Sequence, residues 1–492
     1  MLFRSNLREI GEALHVAFVV EGSVQRIGNR LRVEAKLIEA RAERQKWTDR
    51  YDRDAADAFA IQAALTEEIA GAMKIRLSTA QKAQLARKPT ASAEAYELYL
   101  RGFEYASVSD HQPEIEPLIG DFYRKAIRID PNFALAHSGL AHTLINTFWW
   151  INGTPDSVAE EARAEAEEAL LLQPDLSEGH LALGLYYYWG RRDYERALKE
   201  FDLARTGASG GLPLFWSSAV LRRQGNFDEA IKRQEQATRL EYRASWIVKE
   251  LALSLTYARR YEEADRALDR ALSITPDLTS ASLLKAFVHE AWKGDTDVAR
   301  KLLRDLRSNV NAQGQVGGWD YFCDLLQHNP REALALLDSL EAPWIIGSDA
   351  AFPKAFLSAV AHQALGDSAR ARKEYQAAVP LLESRVDDRP GNVRERALLA
   401  QAYAALGRHA DALREATHAA ETLPVSKDAL LGADVAVDQA LAEAHAGATD
   451  AAIEHIRQLL SIPSLLSPAM LRIDPRWAPL RGDPRFRRLA GL

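Results

Sequence analysis

The sequence predicts a mainly α-helical chain of helix-turn-helix repeats stacked as a solenoid, preceded by a small α+β domain. Three observations predict it. Residues 245–276 spell two amphipathic helices, broken at Arg260-Tyr261 and closed by Pro276. Leu251, Ala252 and Leu255 share one face of the first, and Ala264, Leu268 and Ala271 share one face of the second. The pattern recurs: a small residue opens each second helix at Ala162, Ala197, Ala230, Ala264, Ala299, Ala333, Ala371, Ala412 and Ala452. A period of about 34 residues built from paired helices is the mark of a helical solenoid. Strand-like alternation, by contrast, is confined to the first fifty or so residues, at about 16–51.

Taken in order, the chain opens with Met1-Leu2-Phe3-Arg4-Ser5, which reads either as a cloning or sequencing artefact (1–5) or as a short leader. Asn6 with Glu9 predicts a capped short helix to about Leu14. Residues 16–20 and 23–27 alternate as strands, and Gly28-Asn29 is a hairpin turn before the strictly alternating 31–37. A third strand is expected over 45–51 and a long covering helix over 55–77. Three strands and one helix make a thin domain. A linker spans 78–93, the array runs over 94–462, with insertions at 108–117 and 148–156, and a capping segment fills 463–492. In that segment Asp474-Pro475 and Asp483-Pro484 suit helix starts, with Trp477, Phe486 and Leu489 covering the last repeat.

Two resemblances follow from these residues. Leu399, Ala400, Tyr403, Gly407, Ala412, Ala419 and Pro424, and again Leu183, Gly184, Tyr187, Ala197, Phe201 and Ala204, resemble the tetratricopeptide repeat. The resemblance implies a right-handed solenoid of about nine to ten repeats; those near 279–340 depart from it, with Lys285 where a core residue is expected. Residues 6–77, through Val19-Val20-Glu21-Gly22-Ser23-Val24, Trp47, Arg50-Tyr51-Asp52-Arg53 and Phe59-Ala60-Ile61-Gln62, resemble the second half of the TolB-like domain of bacterial signalling proteins. In that family the domain commonly follows a nucleotide cyclase, a protein kinase or a winged-helix domain. Such a module would lie upstream of this chain.

Composition bounds the function. The 492 residues hold 62 basic and 69 acidic side chains, a formal charge of −7, which argues against nucleic acid as a direct partner. The single cysteine, Cys323, excludes an intramolecular disulfide framework and reads as a small buried hydrophobe. The densest apolar stretch, 181–189, is too short to cross a membrane. With no signal segment, the expected compartment is the cytoplasm, or the periplasm should a membrane anchor lie upstream.

No catalytic constellation emerges. Gly207-Ala208-Ser209-Gly210-Gly211 matches a nucleophile elbow in letters only, since helices flank it on both sides. His289-Glu290 lacks the second histidine of a zinc helix, because Lys293 stands there. We expect no cofactor, no metal and no enzyme in this chain. Binding is the expectation: stacked first helices should line a concave groove, with Ser138, His142, Leu181, Tyr188, Phe215, Arg222, Lys249, Thr256, Leu283 and Phe287 facing it. Aromatics beside Arg222 and Lys249 suit a protein or peptide with apolar anchors and an acidic group. Trp149-Trp150 read as seam packing rather than an exposed patch.

Overall fold

Alternation in the first fifty residues and 3.6-residue periodicity beyond them give the two kinds of structure seen in the computed structural model. It describes residues 8, 16–28, 30–54, 58–76, 78–79, 82, 87–108, 115–151, 154–205, 210–306, 329–340, 343–346, 351–388 and 391–492. The helix expected before Leu14, and the residues Ser209 and Cys323, fall outside them. Two compact units, Met1–Arg196 and Ala197–Leu492, are described in turn.

In the first unit β1 (Phe18–Ile27), β2 (Arg30–Glu39) and β3 (Arg44–Asp54) form an antiparallel sheet in that order. Ile27 pairs with Arg30 across the two-residue turn, and Gly28 has φ +60°, the left-handed conformation that such a turn requires. Helix α1 (Ala58–Ala72) lies against β2 and β3. Ala35, Leu37, Tyr51 and Ile61 are buried there, and the Trp47 indole donates to Glu68. Burial pushes the Tyr51 phenol up to about 12, with Glu68 and Asp49 adding to the shift. On the opposite side Arg30 and Arg32 pair with Asp52, and at the end of β2 Arg44 and Lys46 pair with Glu39. Helix α1 is shorter than the expected 55–77: Ile75 N donates to Ala70 O and Lys74 takes φ +60°, which closes the last turn.

Helical repeats follow: α2 (Ala93–Val108), α3 (Glu116–Ile129), α4 (Ala134–Trp150), α5 (Asp156–Leu172) and α6 (Ser177–Leu185), which runs into a π-helical turn, Tyr186–Gly190. Gly102 and Gly139 bracket the buried Tyr123 ring; a methyl group on either would stand 2.8 Å from it. Of the insertion expected at 148–156, residues 148–150 continue α4 and Asp156 opens α5.

Helix α7 (Tyr194–Ala204) leads into the second unit. Its pairs are α8 (Gly211–Arg223) with α9 (Phe227–Leu240), α10 (Ser245–Tyr257) with α11 (Tyr261–Ile274), and α12 (Thr279–Lys293) with α13 (Thr296–Leu306). After α14 (Pro330–Ser339) and a short hairpin of β4 (Trp344–Ile346) and β5 (Ala351–Pro353) come three more pairs. These are α15 (Lys354–Ala364) with α16 (Ser368–Asp388), α17 (Val393–Ala405) with α18 (His409–Thr422), and α19 (Leu431–His445) with α20 (Thr449–Ser461). Helix α21 (Pro468–Ile473), a 3-10 turn (Pro475–Leu480) and α22 (Pro484–Ala490) complete it.

All nine small residues that mark the repeats are buried, because a methyl side chain is what lets paired backbones approach. The hairpin was not expected: the apolar, β-prone run Trp344-Ile345-Ile346 forms a strand, with the Arg385 guanidinium 4.8 Å over the Trp344 ring. The 21-residue α16 accounts for the longer spacing between Ala371 and Ala412. Lys285 is accommodated in its near-core position because Asp265 and Asp269, on the preceding helix, both accept from its ammonium.

Candidate partner-binding surfaces

A groove in such repeats depends on how first helices lie beside one another. Here they pack directly: α2 on α4 and α4 on α6 in the first unit, α10 on α12 and α17 on α19 in the second. This close approach decides where the ten expected groove residues go. Ser138, Tyr188, Phe215, Arg222, Thr256, Leu283 and Phe287 are buried, whereas His142, Leu181 and Lys249 keep partial exposure.

Ser138, Thr256 and Arg222 each have an internal partner. The Ser138 hydroxyl donates to Leu135 O and that of Thr256 to Ala252 O, so both are satisfied within their own helices. Arg222 reaches from α8 to α10, where Nη2 lies 3.0 Å from Glu250 Oε2 and Nη1 lies 3.0 Å from Ser254 Oγ. Lys249 pairs with the other oxygen of Glu250. Burial opposes ionisation of Glu250, but the Lys249 and Arg222 cations outweigh it and hold its carboxyl well below the usual range. Phe287 joins a core with Leu255, Val288 and Leu441. Extrapolated helical phase cannot show this, since it treats each first helix as if water lay on its free side.

In the first unit, Trp149 stacks 5.5 Å from Trp189 with the rings 11° apart, and 6.4 Å from Tyr188. Trp150, next to it, is 50% exposed. The π-helical turn beneath widens the end of α6, a distortion often found at functional positions. A cleft beside this turn is lined by Arg163, Tyr186, Arg191 and Arg196, whose cations are matched by Glu160, Glu167, Asp156 and Asp193. His137, buried between α4 and α5, has Glu165 2.6 Å from Nδ1 and Pro131 O 3.0 Å from Nε2. Burial works against a charged ring, yet the Glu165 carboxylate and the Pro131 carbonyl prevail and raise its pKa.

The second unit closes on itself in a way the periodicity does not announce. Turns between paired helices use a left-handed residue at Gly225, Gly294, Gly366, Gly407 and Gly447, but Arg259 fills that place after α10, at φ +56°. Its guanidinium donates to the carbonyls of Leu459, Ile462 and Leu466 and to Ser464 Oγ. Alongside, Ser464 N donates to Tyr257 O, Ala429 N to Arg223 O and Ser467 Oγ to Ala291 O. Arg223 pairs at 2.6 Å with the fully buried Asp428. Thus the last repeat and the tail are fastened to α8, α10 and α12. An arginine at a glycine position was the sequence signal for this contact. Trp477 and Phe486 are buried in the core shared with α20, and Asp474 and Asp483 cap the helices that follow them.

No helix of the described residues is long and apolar enough to cross a membrane, and none of them form a group of three or more His, Cys, Asp or Glu placed to hold a metal.

No protein-family model matches the chain. Among curated proteins it is 30% identical over 189 residues to "Putative adenylate cyclase 3" of Rhizobium meliloti (strain 1021), a match covering 38% of this chain and 32% of that protein. The chain therefore spans about a third of this relative's length. Among solved structures, PilW, a type IV pilus biogenesis factor, is 18% identical over 44% of this chain and 94% of its own, with TM-score 0.36. YrrB, a tetratricopeptide repeat protein with an unusual peptide-binding site, is 19% identical over 38% and 93%, with TM-score 0.29. A human IFIT1 dimer with m7Gppp-AAAA is 13% identical over 74% and 77%, with TM-score 0.43. These scores are low, and the fold rests on the chain's own helix pairs. The chain is a mainly α, tetratricopeptide-like helix-turn-helix repeat protein with a small antiparallel sheet near its N-terminus.

Proposed function

We propose that this chain is a non-catalytic interaction module in which the first helices of the repeats receive a protein or peptide partner. The observation that supports it best is the side-by-side packing of first helices within each unit, α2, α4 and α6 in the first, and α10 with α12 and α17 with α19 in the second. Of the ten groove positions, His142, Leu181 and Lys249 would touch the partner. The seven buried ones, Ser138, Tyr188, Phe215, Arg222, Thr256, Leu283 and Phe287, would form the wall behind them. Lys249, held beside Glu250 at the surface, would meet an acidic group, and Leu181 an apolar anchor. The test is selection of peptides from a random display library on the whole chain. Leu181→Asp and Lys249→Glu are each expected to weaken the selected peptides about tenfold, a change of about 1.4 kcal/mol. Equal binding by wild type and both variants would contradict the proposal.

A second reading rests on the match to the adenylate cyclase relative. In it the chain is the regulatory part of a larger signalling protein, with residues 6–77 a TolB-like domain and a cyclase, kinase or winged-helix domain upstream. Its compartment would follow that upstream part, cytoplasmic unless a membrane anchor places it in the periplasm. Sequencing the reading frame upstream in the source DNA tests this. A cyclase, kinase or winged-helix pattern supports it, and an in-frame stop with none of them contradicts it.

A further inference from the structure

The starts of α8 and α10 bring three aromatic rings together at the surface of the second unit. Phe215, buried, lies 4.7 Å from Trp216 and 4.8 Å from Trp246, both edge to face, and the two indoles are 6.2 Å apart. Leu214, Ala237 and Ile247 close the cluster from below. Trp246 is nevertheless 37% exposed, and Leu240 (57%), the last residue of α9, and Tyr242 (37%), in the turn that follows, are also open to water. Scattered exposed hydrophobes need no explanation. Three within seven residues, one of them an indole locked edge to face on a buried ring, form a rigid anchor patch that loses little entropy on binding.

Charge tells what would cover it. Arg239 and Arg243 flank these residues, both exposed, and neither has an ion-pair partner among the described residues. Neighbouring arginines are paired: Arg233 with Glu229, Arg260 with Glu263 and Arg266 with Glu262. Glu241, the one carboxylate in the turn, lies instead against Gly211 at the start of α8, where any larger side chain would collide with it. Helix-dipole complementarity would account for Arg239, in the last turn of α9, but not for Arg243 beyond it.

We propose that Leu240, Tyr242, Trp246, Arg239 and Arg243 form a docking site for a protein segment that carries an apolar or aromatic anchor flanked by carboxylates. Trp, Tyr and Arg are the residues that dominate binding energy at protein interfaces. Single-stranded nucleic acid, which also stacks on indoles, is the less suited ligand, because two cations on a chain of net charge −7 give little backbone neutralisation. The site adds to the groove reading without depending on it; only Phe215 is common to both, as the floor of the patch.

Fluorescence polarisation tests it with the whole chain and a labelled probe, acetyl-Glu-Asp-Phe-Leu-Asp-Glu-amide. One control replaces its acids with glutamine, a second replaces Phe-Leu with Ser-Ser, and a third is a labelled oligothymidylate. The acidic apolar probe is expected to bind at least tenfold tighter than all three. Trp246→Ala and the double variant Arg239→Glu, Arg243→Glu should each weaken it tenfold or more, while Lys373→Glu, at an exposed position on α16, changes it less than twofold. The two arginines are exposed, so the charge-reversed variant keeps its fold, as far-UV circular dichroism will show. The inference is overturned if the charge-reversed variant binds the probe like wild type, or if oligothymidylate binds more tightly than the peptide. An equal loss of probe binding in Lys373→Glu would likewise overturn it, while leaving the groove reading standing.

Discussion

Replacing Arg259 tests whether the tail is fastened to the repeats as described. The guanidinium makes four hydrogen bonds across the seam, at 3.1 Å to Leu466 O, 2.9 Å to Ile462 O, 2.8 Å to Leu459 O and 2.9 Å to Ser464 Oγ. A hydrogen bond from a charged donor contributes about 1.5–3 kcal/mol, but four from one group are not additive, and about 3–5 kcal/mol is a reasonable total. Against this stands the left-handed backbone, which costs a residue with a β-carbon about 1 kcal/mol. Arg259→Ala loses the bonds and keeps that cost, so it should destabilise the second unit by about 3–5 kcal/mol. Arg259→Gly loses the same bonds but relaxes the backbone, so it should be about 1 kcal/mol less damaging. Urea unfolding gives the stability change, and hydrogen exchange over 459–471 shows whether the loosening is local. An Arg259→Ala variant within about 0.5 kcal/mol of wild type, or a glycine variant worse than the alanine one, would refute the reasoning.

Ala264, fully buried where α11 meets its neighbours, should tolerate no larger side chain: Ala264→Leu is expected to cost about 1–3 kcal/mol in urea unfolding, and the half-buried Ala267→Leu much less. His137 has acceptors on both ring nitrogens, which favours the imidazolium, and its folded pKa is raised above the unfolded value. Its contribution is therefore fully present below about pH 6.5 and lost as pH rises through the folded pKa. The stability gap between wild type and His137→Gln should narrow from pH 5.5 to pH 8.5; a widening gap would contradict the assignment.

Much of the architecture was legible in the sequence because repeats are local. Ala264, Leu268 and Ala271 are spaced for one helical face, and that face is buried whatever lies farther along the chain. The same holds for the hairpin at Gly28, where the turn chemistry sets the register. What the sequence hid was long-range. Nothing in the spacing of Arg222 or Phe287 shows that a neighbouring first helix takes up their free side, or that residues 459–471 return to α10. The patch at Trp246 was hidden for a related reason: Leu240 ends α9, Tyr242 lies in the turn and Trp246 sits at the start of α10, so no single helical phase relates the three. Arg259 is legible, since its counterparts in other described repeats of the second unit are glycines.

Central to this account is that successive first helices make the surface that meets a partner. Hydrogen exchange of the whole chain, with and without a peptide selected from the display library, tests it most directly. Slowed exchange concentrated on first helices, in 134–150 and 177–185 of the first unit or in 245–257 of the second, is the predicted result. Protection confined to second helices such as 261–274 and 409–422 would contradict it.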